Sequence, residues 1–318
     1  MEKKLISIVI PCYNEEETLT NLYDELNKVT ATMQDYFFEY VFVNDGSKDK
    51  TLFMLQEMAQ KDEKVKYISF SRNFGKEAAL LAGLSNAKGD YVATMDADMQ
   101  DPPALLPELV GYVASGEYDN AATRRVTRKG EPVIRSFFAR GFYRLMRHMT
   151  DINIVDGARD YRVMSRAMVD SILSLQEYNR FSKGIFAWVG YETKWVEFEN
   201  VERFAGETKL SFFKLLRYSV EGIISFSNTP IHLASYMGLV LTGVSALALV
   251  FVFIRALIFG DEVAGWPSLV CIITFLGGVQ LFVMGVMGQY ISKTYLEVKK
   301  RPHYIIKDTN CEDATRNG

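Results

Sequence analysis

Leu5-Ile-Ser-Ile-Val-Ile-Pro-Cys-Tyr-Asn-Glu-Glu-Glu17 begins as a short β-rich apolar run, stops at a proline and passes at once into polar and acidic residues. The run is too short for the core of a signal peptide, so it reads as a buried strand and puts the N-terminus in the cytosol. The same unit recurs downstream: Tyr40–Val43, Val65–Phe70 and Tyr91–Met95 are rich in Val, Ile, Tyr and Phe and are bounded by Pro, Asn, Asp or Gly. Between these runs, Glu15–Met33, Lys50–Gln60 and Gly75–Ala87 carry helical apolar spacing, as in Leu19, Leu22, Tyr23 and Leu26. Such alternation from Leu5 to about Thr123 predicts an α/β fold. A mostly parallel sheet is covered by helices, with ligands at the carboxyl ends of its strands.

A chain of 318 residues suits one or two domains. Its 39 acids against 36 bases give a net charge of −3, which offers nucleic acid no bulk attraction. Hydrophobic residues at 48% and charged residues at 24% exclude a disordered, collagen-like or coiled-coil chain. Cys12, Cys271 and Cys311 are widely separated, as are His148, His232 and His303, which argues against a disulfide scaffold or a zinc site.

The apolar content concentrates in the last third. Ile231–Phe259 and Ser268–Ile291 each exceed the roughly 20 residues needed to cross a hydrocarbon core of ~30 Å, so two transmembrane helices are expected. Their connection, Gly260–Pro267, holds acids and no Lys or Arg, whereas Lys214, Arg217, Lys293, Lys299, Lys300, Arg301 and Lys307 flank the other ends. The positive-inside rule then places both termini in the cytosol. Residues 131–149 and 211–226 read as amphipathic helices that lie on the membrane surface or pack on the sheet. Gly238-x-x-x-Thr242 and Gly285-x-x-Gly288 permit close helix approach, and with it helix pairing or a homo-oligomer. The expected organisation is a cytosolic domain over 1–210, juxtamembrane amphipathic helices over 211–230, a two-helix transmembrane domain over 231–292 and a cytosolic tail over 293–318.

Three strand ends carry the chemistry: Asn14-Glu15, Asn44-Asp45-Gly46-Ser47 and Asp96-Ala97-Asp98-Met99-Gln100. In a parallel sheet they converge on one rim. The first helix is expected to begin beside Asn14 and to aim its amide N–H groups at that rim, where they favour phosphate. Asp45–Asp49 reads as a turn that supplies hydrogen-bond acceptors and a helix cap. Asp98 stands one residue beyond Asp96 and its neighbour, so both carboxylates can approach a hard divalent cation that keeps phosphate oxygens in its shell. Such a cation offsets the charge that builds on a departing diphosphate. A lone D-x-D is common and otherwise reads as a solvated loop; the preceding β-rich run and the following Gln100-Asp-Pro-Pro103 strengthen it. No phosphate loop of the G-x-x-x-x-G-K type, no G-x-G-x-x-G and no G-x-S-x-G elbow occurs, which weighs against kinases, ATPases, NAD enzymes and serine hydrolases. Arg124, Arg125, Arg128, Lys129, Arg135, Arg140, Arg144 and Arg147 crowd together, opposed only by Glu131. They suit an acidic headgroup surface or a lipid phosphate, the alternative being a solvated basic helix.

Ser7–Glu15, Val43–Thr51, Ser71–Glu77 and Asp96–Pro103 resemble the inverting family 2 glycosyltransferases of GT-A fold. Within that family the chain is most similar to the polyprenyl-phosphate glycosyltransferases, the bactoprenol glucosyltransferases and dolichyl-phosphate mannose synthases. The resemblance runs from about Leu5 to Pro302 and includes Phe181–Tyr191 and the paired apolar stretches. It implies a GT-A domain followed by interfacial and transmembrane helices, and transfer of one sugar, glucose or N-acetylglucosamine, from a UDP-sugar to undecaprenyl phosphate at the cytosolic leaflet with inversion. It also implies that Pro11, Tyr13, Glu15 and Asp45 hold the uridine, and that Asp96, Asp98 and Gln100 hold Mg2+ or Mn2+ and the diphosphate. Asp160-Tyr-Arg162 matches an Asp-Phe-Arg whose aspartate is the family's proposed base, so Asp160, Arg162 and Asp98 form the expected catalytic set. Arg203–Lys209 matches a segment that closes over the donor, with Lys209 near its phosphates. Arg124, Arg128, Arg135 and Arg140 are expected on the acceptor phosphate, the bilayer is a further partner and a flippase a possible one. The chain departs from the family at Arg159, where glycine is usual, and at Leu210, where an aromatic is usual. A phosphate monoester has a second pKa near ~6, so the acceptor oxygen needs little proton removal and Asp160 is expected mainly to orient Arg162 and the acceptor. The competing readings are a non-catalytic nucleotide-sugar-binding scaffold and a processive polysaccharide synthase, the latter disfavoured because Q-x-x-R-W is absent.

Overall fold

A computed structural model describes residues 3–125, 155, 157–198, 229–259 and 265–311. Strands β1 (Lys4–Cys12), β2 (Tyr36–Asn44), β3 (Val65–Phe70) and β4 (Tyr91–Thr94) alternate with helices α1 (Leu19–Thr32), α2 (Thr51–Lys61) and α3 (Lys76–Asn86). A 3-10 turn (Pro103–Leu105) leads into α4 (Leu106–Ala114), followed by β5 (Asn120–Arg125), β6 (Ala158–Ser165), α5 (Arg166–Ser174), α6 (Ser182–Trp188) and β7 (Thr193–Phe198). Two long helices, α7 (Thr229–Phe259) and α8 (Trp266–Lys299), precede a last strand, β8 (Ile306–Thr309).

One eight-stranded sheet runs in the order β7-β5-β6-β4-β1-β2-β3-β8. Strands β3, β2, β1 and β4 are parallel, as the alternation predicts. Antiparallel β6 enters between β4 and β5, and antiparallel β8 closes the other edge. Burial on both faces explains why β1 reads as a near-continuous apolar run. Ile6, Ile8 and Ile10 pack with Leu19, Leu22 and Leu26 of α1 and with Leu106 and Leu109 of α4. Val9, Val41 and Val43 face Ala79 and Ala82 of α3 and Met168 and Val169 of α5. Helix α3 can lie this close because Gly83 has no side chain: a Cβ there would stand 2.2 Å from Val9 Cγ1.

Two boundaries depart from the sequence reading. β2 starts at Tyr36, earlier than Tyr40, and α1 starts at Leu19, later than Asn14. The expected cytosolic tail supplies β8, which pairs Ile68 with Thr309 and Ser69 with Asp308. Buried Tyr304 stacks on Phe70 with ring centroids 5.0 Å apart, so the chain leaving α8 is anchored in the sheet. The apolar stretches are helical with nearly the expected limits, α8 continuing to Lys299, and they expose Leu247, Phe251, Leu281 and Met284. Among the described residues one stretch, Phe275–Lys299, is long and apolar enough to cross a membrane, and Thr229–Leu241 of α7 is a shorter apolar one. The amphipathic segments 131–149 and 211–226 lie outside the described residues.

Candidate functional site

The rim at the strand ends is built loop against loop. After β1, Asn14 turns the chain in a left-handed conformation (φ 56°), which asparagine tolerates better than most residues. Its amide donates to Ser47 Oγ at 3.0 Å, the Glu15 amide donates to Thr51 Oγ1 at 2.9 Å, and the Glu16 amide donates to Asp49 Oδ2 at 3.2 Å. The expected anion site at a helix N-terminus is therefore corrected. These amides are occupied by the turn after β2, and α1 begins farther along.

Asp45, at the end of β2, is buried. Its carboxylate accepts the Phe74 amide at 2.6 Å and the Gly75 amide at 2.9 Å, fixing the loop that presents Lys76. Burial raises this carboxyl above its ordinary value, with the two amide bonds opposing it. Gly46 beside it has φ +64°, and a Cβ there would stand 2.4 Å from the Arg72 carbonyl carbon, so the close approach of the two loops requires glycine.

The third loop follows β4. Pro11, Tyr13, Glu15, Asp45, Lys76, Asp96 and Asp98 line one cleft of about 420 Å³. Within it Lys76 Nζ lies 2.5 Å from Asp96 Oδ1 and 2.6 Å from Asp160 Oδ2, one ammonium shared by two carboxylates. Burial alone would raise the Asp160 carboxyl. The Lys76 charge, then that of Lys183, overcomes this and holds Asp160 well below the usual carboxylate range. Burial also raises Glu15; its bond to the Thr18 hydroxyl works against the rise, and Asp98 and Asp96 add to it.

Strand periodicity splits the residues around Asp160 between two faces. Arg159 and Tyr161 point to the α4 side, where Arg159 Nε donates to Asp101 Oδ1 at 2.9 Å and Tyr161 packs in the core. Asp160 and Arg162 point to the side of α3 and α6, where the Arg162 guanidinium lies 3.8 Å from the centroid of the Phe186 ring. Burial pushes Asp101 up to about 6, with the Arg159 charge pulling the other way. Arg159, the departure from the family's glycine, also approaches Asp96 Oδ2 at 4.0 Å.

No three His, Cys, Asp or Glu side chains are grouped to hold a metal among the described residues. Asp96 and Asp98 nevertheless fit Mg2+ or Mn2+, because such ions commonly take one or two carboxylates and complete their shell with substrate phosphates and water. The Gln100 backbone N–H donates to Asp98 Oδ1 at 3.2 Å, and Gln100 is not among the residues lining the cleft.

The structure thus brings Pro11, Tyr13, Glu15, Asp45, Asp96 and Asp98 together, and joins Asp160 to them through Lys76. Arg162 lines a second cavity. Arg124 stands opposite Glu197 across β5 and β7, 3.7 Å from its Oε1, and lines neither cavity. Lys209, Arg128, Arg135 and Arg140 lie outside the described residues. The sequence reading assigned no role to Lys76, Asp101 or Lys183. The signal available for Lys76 and Lys183 was their place inside the motifs Ser71–Glu77 and Phe181–Tyr191.

The chain that builds this cleft matches the glycosyl transferase family 2 model over residues 7–173. The chain belongs to that family, and it is an enzyme, a hexosyltransferase. It is 42% identical to the bactoprenol glucosyl transferase of Shigella phage SfII, over 96% of this chain and 98% of the relative. It is 41% identical to the prophage bactoprenol glucosyl transferase homolog of Escherichia coli (strain K12), over 95% of this chain and 98% of that one. Among solved structures it is similar to glucosyl-3-phosphoglycerate synthase from Mycobacterium tuberculosis in complex with Mn2+, UDP-glucose and phosphoglyceric acid. There the TM-score is 0.49, the identity 20%, and the coverage 70% of this chain and 78% of that one.

Proposed function

We propose that this hexosyltransferase moves a single sugar, glucose or N-acetylglucosamine, from a UDP-sugar to undecaprenyl phosphate at the cytosolic face of a membrane, with inversion at the anomeric carbon. The observation that carries this reading is a line of charged side chains leading from the acidic cleft: Asp96, Lys76 and Asp160 in contact, and Arg162, which lines a second cavity, on the same face of β6 as Asp160. Two relatives matched over nearly their whole length are named for glucosyl transfer involving bactoprenol, which supports the acceptor class. The exposed apolar surface of α7 and α8 and the one stretch of spanning length, Phe275–Lys299, support a membrane location; in this reading both helices cross and both termini are cytosolic.

In this reading Pro11, Tyr13, Glu15 and Asp45 frame the uridine, while Asp96, Asp98 and Gln100 would hold Mg2+ or Mn2+, with Lys209 near the donor phosphates. When bound, the ion supplies positive charge that offsets the charge on the leaving diphosphate. An acceptor oxygen attacks the anomeric carbon in line, a new C–O bond forms, and the C–O bond to UDP breaks on the opposite face. The acceptor phosphate, with its second pKa near ~6, is largely dianionic at neutral pH and brings almost no proton to remove. Asp160, held ionised by Lys76, is a weak base and serves to hold that lysine and to steer the acceptor toward Arg162.

The test incubates the purified full-length protein with undecaprenyl phosphate, Mg2+ or Mn2+ and a panel of UDP- and GDP-sugars, and detects lipid-linked sugar by mass. A product from a UDP-sugar is expected. No product from any donor would remove the reading, and a product from GDP-sugars alone would remove the nucleotide assignment.

A further inference from the structure

We infer that the cavity at Arg162 is the subsite for the phosphate of a prenyl-chain phosphomonoester, gripped by Arg162 and Lys183 and walled by Phe186, Tyr191 and Trp195. The inference rests on the proposed acceptor class and deepens it, since it moves the phosphate contacts away from the arginines of 124–140 and adds Lys183. The cavity measures about 250 Å³ and is lined by all five of these side chains. It is separate from the donor cleft, which is lined by residues of the first three loops and by Lys76.

Arg162 is the principal observation. Its residue is 3% exposed, yet its Nε has no hydrogen-bond partner among the described residues. Nη2 donates to the Arg159 carbonyl oxygen at 3.2 Å, and the guanidinium plane rests on the Phe186 ring. A buried N–H left unmet is costly, and a planar fork that lines a cavity is suited to phosphate oxygens. Lys183 reaches the same cavity from α6. Both cations act electrostatically on Asp160, whose Oδ2 is already engaged by Lys76. Among the described residues the cavity lining carries two cations, Arg162 and Lys183, and no carboxylate.

The rest of the lining identifies the ligand further. Phosphate alone calls for cations and donors, whereas this cavity sets three aromatic rings beside them. Aromatic faces suit the apolar carbons that follow a phosphate in a prenyl ester. Arg162, which lines the cavity, shares a face of β6 with Asp160, and Lys76 ties Asp160 to the donor cleft.

Calorimetric titration of the full-length protein in detergent tests the assignment, with farnesyl phosphate, farnesol, inorganic phosphate and UDP as separate titrants. Farnesyl phosphate is expected to bind more tightly than either farnesol or inorganic phosphate, with inorganic phosphate competing for its site. Lys183→Gln is expected to weaken farnesyl phosphate by about tenfold or more, as loss of a charged hydrogen bond does, while Lys183→Arg restores it. UDP affinity is expected to stay unchanged in both variants, which shows that they are folded. Unchanged farnesyl phosphate binding in Lys183→Gln, or a parallel loss of UDP binding, would overturn the subsite. Inorganic phosphate binding as tightly as farnesyl phosphate would overturn the prenyl assignment. Sugar transfer separates this idea from the one beneath it. A wild type that binds farnesyl phosphate but glycosylates no lipid from any donor refutes the reaction and keeps the subsite. A Lys183→Gln enzyme with unchanged KM for undecaprenyl phosphate does the reverse.

Discussion

Asp160→Asn keeps the shape of the side chain and removes its charge, which makes it the sharpest probe of what the carboxylate does. In the native protein Asp160 Oδ2 lies 2.6 Å from Lys76 Nζ, and the attraction holds it ionised far below the usual carboxylate range, burial notwithstanding. A charge-assisted hydrogen bond contributes about 1.5–3 kcal/mol, and ~1.4 kcal/mol is a factor of ten, so the bond corresponds to roughly 10- to 150-fold. The Lys76 side chain keeps 42% of its surface open and retains Asp96 at 2.5 Å, so solvent screening favours the lower end, about 10- to 30-fold in kcat/KM. The assay follows lipid-linked sugar from pH 5.5 to about 9 at subsaturating acceptor. Wild-type kcat/KM should rise as the acceptor phosphate ionises near ~6 and then level off. The variant should follow the same curve, displaced by a constant factor. A defect that shrinks as hydroxide accumulates above pH 8 would refute the positioning role and restore Asp160 as a general base.

Lys76→Met removes the cation between Asp96 and Asp160. Transfer should fall, while Mn2+ binding without nucleotide, followed by electron paramagnetic resonance, should tighten by about tenfold because one repelling charge is gone; weaker Mn2+ binding would contradict this. Arg159→Gly leaves fully buried Asp101 without its cation and should cost about 3–5 kcal/mol, read as a lower thermal midpoint. Asp101 already titrates near 6, above its ordinary 3.8, so its contribution is fully favourable below about 3.8 and is lost as pH rises through 6. The variant's deficit should therefore be larger at pH 7.5 than at pH 4.5, and a deficit independent of pH would count against the pairing. Gly46→Ala puts a side chain into the Arg72 backbone at a left-handed position and should cost about 1–3 kcal/mol. UDP affinity should drop with it, since the displaced loop carries Lys76; unaltered affinity would separate that loop from the donor site.

The four parallel strands were legible because a strand buried on both faces must be apolar throughout, and the turn residues after each run mark its end. Asp96 and Asp98 were legible because acids directly after such a run can only sit on the rim. The start of α1 was not: Asn14 followed by three glutamates has the composition of a helix's first turn, yet the chain spends that stretch docking on Ser47, Asp49 and Thr51. Lys76 was hidden by distance, because it stands 84 residues from Asp160 and only the tertiary fold joins them. Arg159, where the family usually has glycine, proves to be the counter-ion of Asp101. Strand β8 has no apolar alternation to announce it. Its hold on the sheet comes partly from Asn310, whose side chain accepts the Tyr67 amide at 2.7 Å and donates to the Val65 carbonyl at 2.9 Å.

That last strand acts as a leash. Only residues 300–305 separate the end of α8 from β8, and a link of that length reaches at most about 20 Å when fully drawn out. Whatever surface receives α8, the sugar-transferring module is moored beside it and cannot drift off into solution. A tilt of α8 would be delivered as a tug on the flank of β3, so under the proposed membrane setting bilayer thickness would be a mechanical input to an enzyme that otherwise answers to its substrates.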